Sequence, residues 1–159
     1  MAAAVGGVAV RRLRRIEVTR AEFLAAGLGI AVILPRTAAA ETTSAEKANL
    51  ALVTDFCASF ASRDMSKIAA FLADNCVYRV TETAPPVMGK DAIERMRTYV
   101  ERSTKIEFKI LDSWVKGPVV VNERIDSFEP APPRSPYHLT GVFFVRDGKI
   151  AEWTDYSIR

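Results

Sequence analysis

The residues of this 159-residue chain that could do chemistry together are one arginine and two aspartates. Val119 to Phe128 has the β-branched content of a strand. Side chains alternate between strand faces, so Val120, Asn122, Arg124, Asp126 and Phe128 share one face, and Val121, Glu123 and Ile125 the other. Near the C-terminus, Trp153, Asp155 and Ser157 share one face of a second strand, with Glu152, Thr154 and Tyr156 opposite. Where two such faces converge, the planar guanidinium of Arg124 can hold Asp126 and Asp155 at once. Two carboxyls in an apolar pocket do not readily both ionise, so one keeps its proton. That one can donate to a leaving oxygen while the ionised one takes a proton from water, and the pair titrates as a unit. Spacing alone does not select this chemistry, since an Arg two residues from an Asp on a strand is commonly an exposed ion pair of little energetic value.

Positioning these groups falls to a run of helices followed by strands. Ser44 or Thr43 is placed to cap a first helix, with Glu46 in its first turn and Leu50, Val53, Phe56, Cys57 and Phe60 on one apolar face. Ser62 to Asp64 breaks it, and Asp64 caps a shorter helix with Ile68, Phe71 and Leu72 on its apolar side. A first strand is expected at Cys76 to Thr81, then a loop at Thr83 to Pro86, then a third helix from Lys90 to Arg102. Ile93, Met96, Tyr99 and Val100 form the buried stripe of that helix. Alternation at Ile106, Phe108 and Ile110 opens the strand region. Lys116 to Pro118 reads as a turn, Pro130 to Pro136 as a proline-rich loop, and Asp147-Gly148 as a hairpin turn between Tyr137–Val145 and Lys149–Ile158. Helices gathered before an antiparallel meander give an α+β fold, a curved and mostly antiparallel sheet with three helices enclosing a pocket. Trp114, Phe144 and Trp153 read as core or pocket wall, and His138 as a strand or rim histidine. Phe143 is assigned both to that wall and, with Val121 and Ile125, to a convex apolar side that would favour a homodimer.

Val77-Tyr78, Pro85-Pro86, Gly89 to Glu94, Asn122 to Asp126, Gly141 to Phe143, Asp147 to Ile150 and Trp153 to Tyr156 follow one another in a fixed order. From about Leu50 to Tyr156 the chain thereby resembles the limonene epoxide hydrolases. These belong to the nuclear-transport-factor-like cone fold shared with polyketide cyclases and ketosteroid isomerases. The resemblance implies that Asp126 is the general acid, Asp155 the general base and Arg124 the bridge that orients both. It implies one-step attack of water on a small apolar epoxide to give a vicinal diol, with no covalent intermediate, metal or cofactor. Epoxide opening needs acid and base together, because it generates an alkoxide and requires a nucleophile. The family holds that water with a Tyr and an Asn two residues later. Tyr78 matches the Tyr, Val80 stands where the Asn belongs, and a one-residue gap would bring the Thr81 hydroxyl there instead. Two alternatives use the same fold: an isomerase or cyclase that moves protons without water, and a non-catalytic small-molecule-binding protein. Val80 and the Pro130 to Pro136 insertion favour the latter.

Composition bounds these expectations. A chain with 49% hydrophobic residues builds one core but not two. The net charge of +3 is segregated: residues 1–40 hold six Arg and two Glu, leaving 16 basic and 17 acidic groups in 41–159. The near-neutral remainder has no basic face for nucleic acid. Arg11, Arg12, Arg14, Arg15 and Arg20, the apolar run Phe23 to Leu34 and the small Ala38 to Ala40 read as a cleavable leader. Thr19 to Leu24 resembles a twin-arginine export signal, with Ala21 in place of the second Arg. The expectation is a leader over 1–40, a single domain over 41–159, export to the periplasm or cell surface, and no stable membrane span after cleavage. The alternatives are an uncleaved anchor, or a cytoplasmic enzyme with a misassigned start. Cys57 and Cys76 match no metal spacing; an exported protein could join them, but two buried thiols fit cysteine's usual burial better.

Overall fold

The computed structural model describes residues 41–133 and 135–158, and the leader expected over residues 1–40 lies outside the described residues. Helix α1 (Ser44–Ser59) starts at a capping box. Thr43 Oγ1 accepts from the Glu46 N–H at 3.2 Å, and Glu46 Oε2 accepts from the Thr43 N–H at 2.8 Å. The other Glu46 oxygen accepts from the Gly117 N–H at 2.7 Å, tying the helix start to a distant strand turn. The backbone N–H groups of Gly117 and Thr43 hold the Glu46 carboxyl down at about 2. A single 3₁₀ turn (Phe60–Ser62) follows and ends at Arg63, which takes a left-handed φ of 53°. Asp64 then accepts from the Ser66 N–H and caps α2 (Met65–Ala69). Ala92, Met96 and Val100 bury one face of α3 (Lys90–Val100) at i, i+4, i+8 spacing.

The strands are β1 (Leu72–Arg79), β2 (Val87–Met88), β3 (Lys105–Lys116), β4 (Val119–Glu129), β5 (Tyr137–Arg146) and β6 (Lys149–Ser157). They form one open six-stranded sheet in the order β2-β1-β6-β5-β4-β3. Every neighbouring pair is antiparallel except β1 and β6, which run parallel. Two two-residue turns set the meander: Gly117-Pro118, with Gly117 at φ 56°, and Asp147-Gly148, with φ values of 51° and 69°. Positive φ at the first central residue, or at both, matches the right-handed twist of the strands these turns join. The expected α+β architecture is what the chain adopts, and among the described residues no helix is long and apolar enough to cross a membrane.

Three details differ from expectation. β1 begins at Leu72 rather than Cys76, because Leu72 pairs with Ile150 of β6 and so belongs to the sheet. β2 is a two-residue strand that exists only by pairing Val87 and Met88 with Tyr78 and Val77. The third concerns the aromatics. Phe143 pairs with Val120, points inward and is fully buried, so it is not part of the convex face. Trp114 pairs with Val121 and Phe144 with Val119, which puts both on the outer face, 55% and 39% exposed, not in the pocket wall. The convex apolar side therefore holds Trp114 and Phe144 and not Phe143.

The core lies between the helices and the inner sheet face. Phe56 of α1 meets Phe143 and Trp153 edge-on, with ring centroids 6.2 and 5.2 Å away. Cys57 and Cys76 are both buried and free.

Candidate active site

β4 delivers its alternating residues to the inner face as the sequence implies, and Asn122, Arg124 and Asp126 are all buried there. Across the sheet, Asp155 of β6 is separated from β4 only by β5, whose Gly141 is opposite both Asn122 and Asp155. Arg124 fills the gap. Its Nε donates to Asp126 Oδ1 at 2.9 Å, its Nη2 to Asp155 Oδ1 at 2.7 Å, and its Nη1 to Asn122 Oδ1 at 2.9 Å. The guanidinium carbon lies 5.3 Å from the Phe108 ring centroid, 5.6 Å from Trp153 and 5.9 Å from Phe143. Those contacts reward a flat, weakly hydrated cation and would not suit lysine.

Asp155 Oδ1 accepts a second bond, from the Trp153 indole Nε1–H at 2.7 Å. Each carboxyl thus spends Oδ1 on the protein. Neither Oδ2 has a protein hydrogen-bond partner among the described residues, and both aspartates line one cavity of about 830 Å³. Tyr78, Val80, Tyr99, Phe108, Phe128 and Leu139 form much of its wall, and Pro130 and Pro132 reach it from the loop after β4. A mostly apolar concavity with a few convergent polar groups is the usual form of a small-molecule site.

Burial raises both carboxyls, and Arg124 opposes it. Asp126 is pushed up to about 7, Arg124 pulling it down less than burial pushes it up, with the neighbouring Asp155 adding to the rise. Asp155 is raised by burial and held back by Arg124 and by the Trp153 N–H. Arg124 itself is raised, because the charges of Asp155 and Asp126 outweigh its own burial, so it stays cationic. One cation beside two carboxyls is neutral when one of them keeps a proton. Donors to the carboxylate favour its charged form. Asp155 has two such donors and Asp126 one, an arrangement that favours the ionised form at Asp155 and the protonated form at Asp126.

Of the remaining expected site residues, Tyr78 is buried, its ring 4.4 Å from that of Trp153, and its hydroxyl lies 3.5 Å from the Tyr99 hydroxyl. Thr81 sits in the turn after β1 and lines the cavity, with its hydroxyl 3.4 Å from that of Thr83. His138 is outside the set: its Nε2 meets Glu123 Oε1 at 2.6 Å, diagonally across β4 and β5. The sequence alone assigns no role to Asn122, Phe108 or Gly141 and marks Trp153 only as a wall residue. Alternation had already placed Asn122 beside Arg124 and Trp153 beside Asp155, so those two were within reach. Among the described residues, no group of three or more His, Cys, Asp or Glu side chains is placed to hold a metal ion.

Comparison with known proteins places the fold in a family. The sequence model of the SnoaL-like domain matches residues 53–153. A solved LEH-like epoxide hydrolase from M. tuberculosis is 27% identical, with a TM-score of 0.59 over 71% of this chain and 84% of that one. A putative ketosteroid isomerase from Kribbella flavida is 19% identical, with a TM-score of 0.56 over 72% of this chain and 80% of its own. A putative polyketide cyclase from Sinorhizobium meliloti is 22% identical, with a TM-score of 0.55 over 66% and 93%. The last two likenesses are of fold alone.

Proposed function

The chain belongs to the SnoaL-like domain family, and within it we propose that it is a cofactor-independent epoxide hydrolase, opening a small apolar epoxide to a vicinal diol. The observation that carries this is the guanidinium of Arg124. It takes one oxygen of each of two buried carboxyls and leaves the second oxygen of each to an apolar cavity. The likeness to the M. tuberculosis LEH-like epoxide hydrolase supports it.

The step balances with side chains and water alone. Water gives a proton to Asp155 Oδ2 as its oxygen bonds to an epoxide carbon. The carbon–oxygen bond of the ring breaks, and Asp126 donates its proton to the leaving alkoxide oxygen. The product carries two hydroxyls, Asp155 ends protonated and Asp126 ionised, and exchange through cavity water restores the starting state. Acid and base act on opposite ends of one strained bond, so neither a full alkoxide nor free hydroxide has to form.

A second reading, isomerisation or ring closure by the same pair, is favoured by Val80, which lines the cavity and offers no hydrogen bond to water. Turnover of a panel of cyclic epoxides in ¹⁸O-labelled water separates the two. The expected product is a diol carrying one labelled oxygen. An unlabelled rearranged product would replace hydrolysis by isomerisation, and tight binding without product would replace both by a binding role.

A further inference from the structure

In the proposed hydrolysis the attacking water must be held as well as deprotonated. It donates one hydrogen to Asp155 Oδ2, keeps a lone pair for carbon, and needs an acceptor for its second hydrogen. Val80, on the cavity wall two residues beyond Tyr78, provides none. A second polar group lines the same cavity from another element. Tyr99 of α3 lines the same cavity and brings its hydroxyl to 3.5 Å from that of Tyr78.

We propose that Tyr99 is a catalytic residue, the second hydrogen-bonding partner of the nucleophilic water, paired with Tyr78 across the cavity from β1 to α3. This rests on the epoxide hydrolase reading and gives that site the water partner that Val80 withholds. The ring is fixed by its surroundings: it stacks on Phe60 at 6.4 Å with 15° between planes, and meets Phe128 edge-on at 5.8 Å. Tyr78 is fixed from the other side by Trp153, whose indole N–H also holds Asp155. The base and both phenols are therefore anchored by one packed aromatic group. Burial raises both phenols, so both keep their hydrogens. When one hydroxyl donates to the other, the pair still has one hydrogen and free lone pairs for a water between them and Asp155. Thr81 is a weaker candidate, since it sits in the turn after β1 and its hydroxyl contact with Thr83 is an exposed one.

Tyr99→Phe keeps the stacked ring and removes only the hydroxyl. The expected result with a turned-over epoxide is a kcat lower by about 10- to 100-fold, the loss that goes with one hydrogen bond to a charged or developing-charge centre, at unchanged KM. Adding Val80→Asn to Tyr99→Phe should restore part of kcat, which a merely structural role for Tyr99 would not allow. A crystal structure of the wild-type protein gives a readout independent of turnover: a water within hydrogen-bond distance of Asp155 Oδ2 and the Tyr99 hydroxyl, absent in Tyr99→Phe. Wild-type kcat in Tyr99→Phe, or a water on Asp155 with no contact to Tyr99, would overturn the assignment. Failure of the wild-type protein to form any diol removes the hydrolase reading instead, and the crystallographic water still decides whether Tyr99 holds it.

Discussion

Asp126→Asn and Asp155→Asn should each lower diol formation by about 10³-fold, the range expected for removing a positioned acid or base, while the protein keeps its fold. Both replacements preserve shape and an amide oxygen that can accept from Arg124, so the clamp has a partner to hold. What each removes is a proton transfer. Without Asp126 the alkoxide leaves unprotonated, and without Asp155 the water attacks without losing its hydrogen. The pH profile carries the same signature. With Asp126 at about 7, kcat/KM of the wild-type protein should fall as pH rises above that value, because the acid form disappears. Asp126→Asn should lose that alkaline limb from its residual activity. Stability follows the same titration. A carboxyl raised on folding binds more protons folded than unfolded, so unfolding free energy falls as pH rises from the ordinary carboxylate range through about 7. Denaturation of Asp126→Asn across that window should show a flatter dependence. Full activity in either variant would exclude the acid–base pair.

Gly141→Ala should be nearly as damaging, although Gly141 touches no substrate. Its glycine is not there for a turn, since it sits in β5 and has no positive φ. It is there for space. A Cβ at this position would collide with Nη1 of Arg124 and come within 2.7 Å of Phe143 Cε2 and 2.9 Å of Asn122 Oδ1. None of these can swing away, because the guanidinium is bonded to Asn122, Asp126 and Asp155 and flanked by three rings. Asn122 is held in turn, its Nδ2 lying 3.5 Å from Cys57 Sγ. The added methyl must therefore push the cation off its carboxyls or open the β4–β5 pairing. The expected cost is about 3 kcal/mol of unfolding free energy, combining overpacking with a disturbed buried ion pair. kcat should fall by about 10²-fold, the usual effect of a 1 Å misplacement. Chemical denaturation and steady-state kinetics on the one variant check both. Wild-type values in both would mean that Arg124 is not held as described.

The contrast between Asp126 and Gly141 shows what a sequence makes visible here. Arg124 and Asp126 are two residues apart on one strand, and alternation alone puts them on one face. Asn122 and Trp153 obey the same rule beside Arg124 and Asp155. Gly141 matters only because β5 runs between β4 and β6 in a particular register, and no local pattern encodes that register. Tyr99 was legible as an apolar helix position but not as a site residue, since its approach to Tyr78 depends on how α3 lies against β1. The strand boundaries failed for a related reason. Leu72 to Asn75 has no alternation of its own and becomes strand by pairing beside β6, and β2 is strand only because β1 accepts it. Trp114 and Phe144 were misplaced because size and hydrophobicity argued for the core, while strand parity put both on the outer face. The Arg124–Asp126 pairing was therefore local information, whereas the approach of Asp155, like the place of Gly141, follows from the order and register of β4, β5 and β6.

Direct attack by water, with Arg124 holding the acid and the base apart, is tested most sharply by a single turnover in ¹⁸O-labelled water with enzyme in excess over epoxide. The expected result is a diol that carries the label in this first turnover, with Asp126 and Asp155 unlabelled. An unlabelled first-turnover diol, its new oxygen drawn from a carboxylate that becomes labelled in its place, would mean that a covalent ester forms and that the assigned base is a nucleophile.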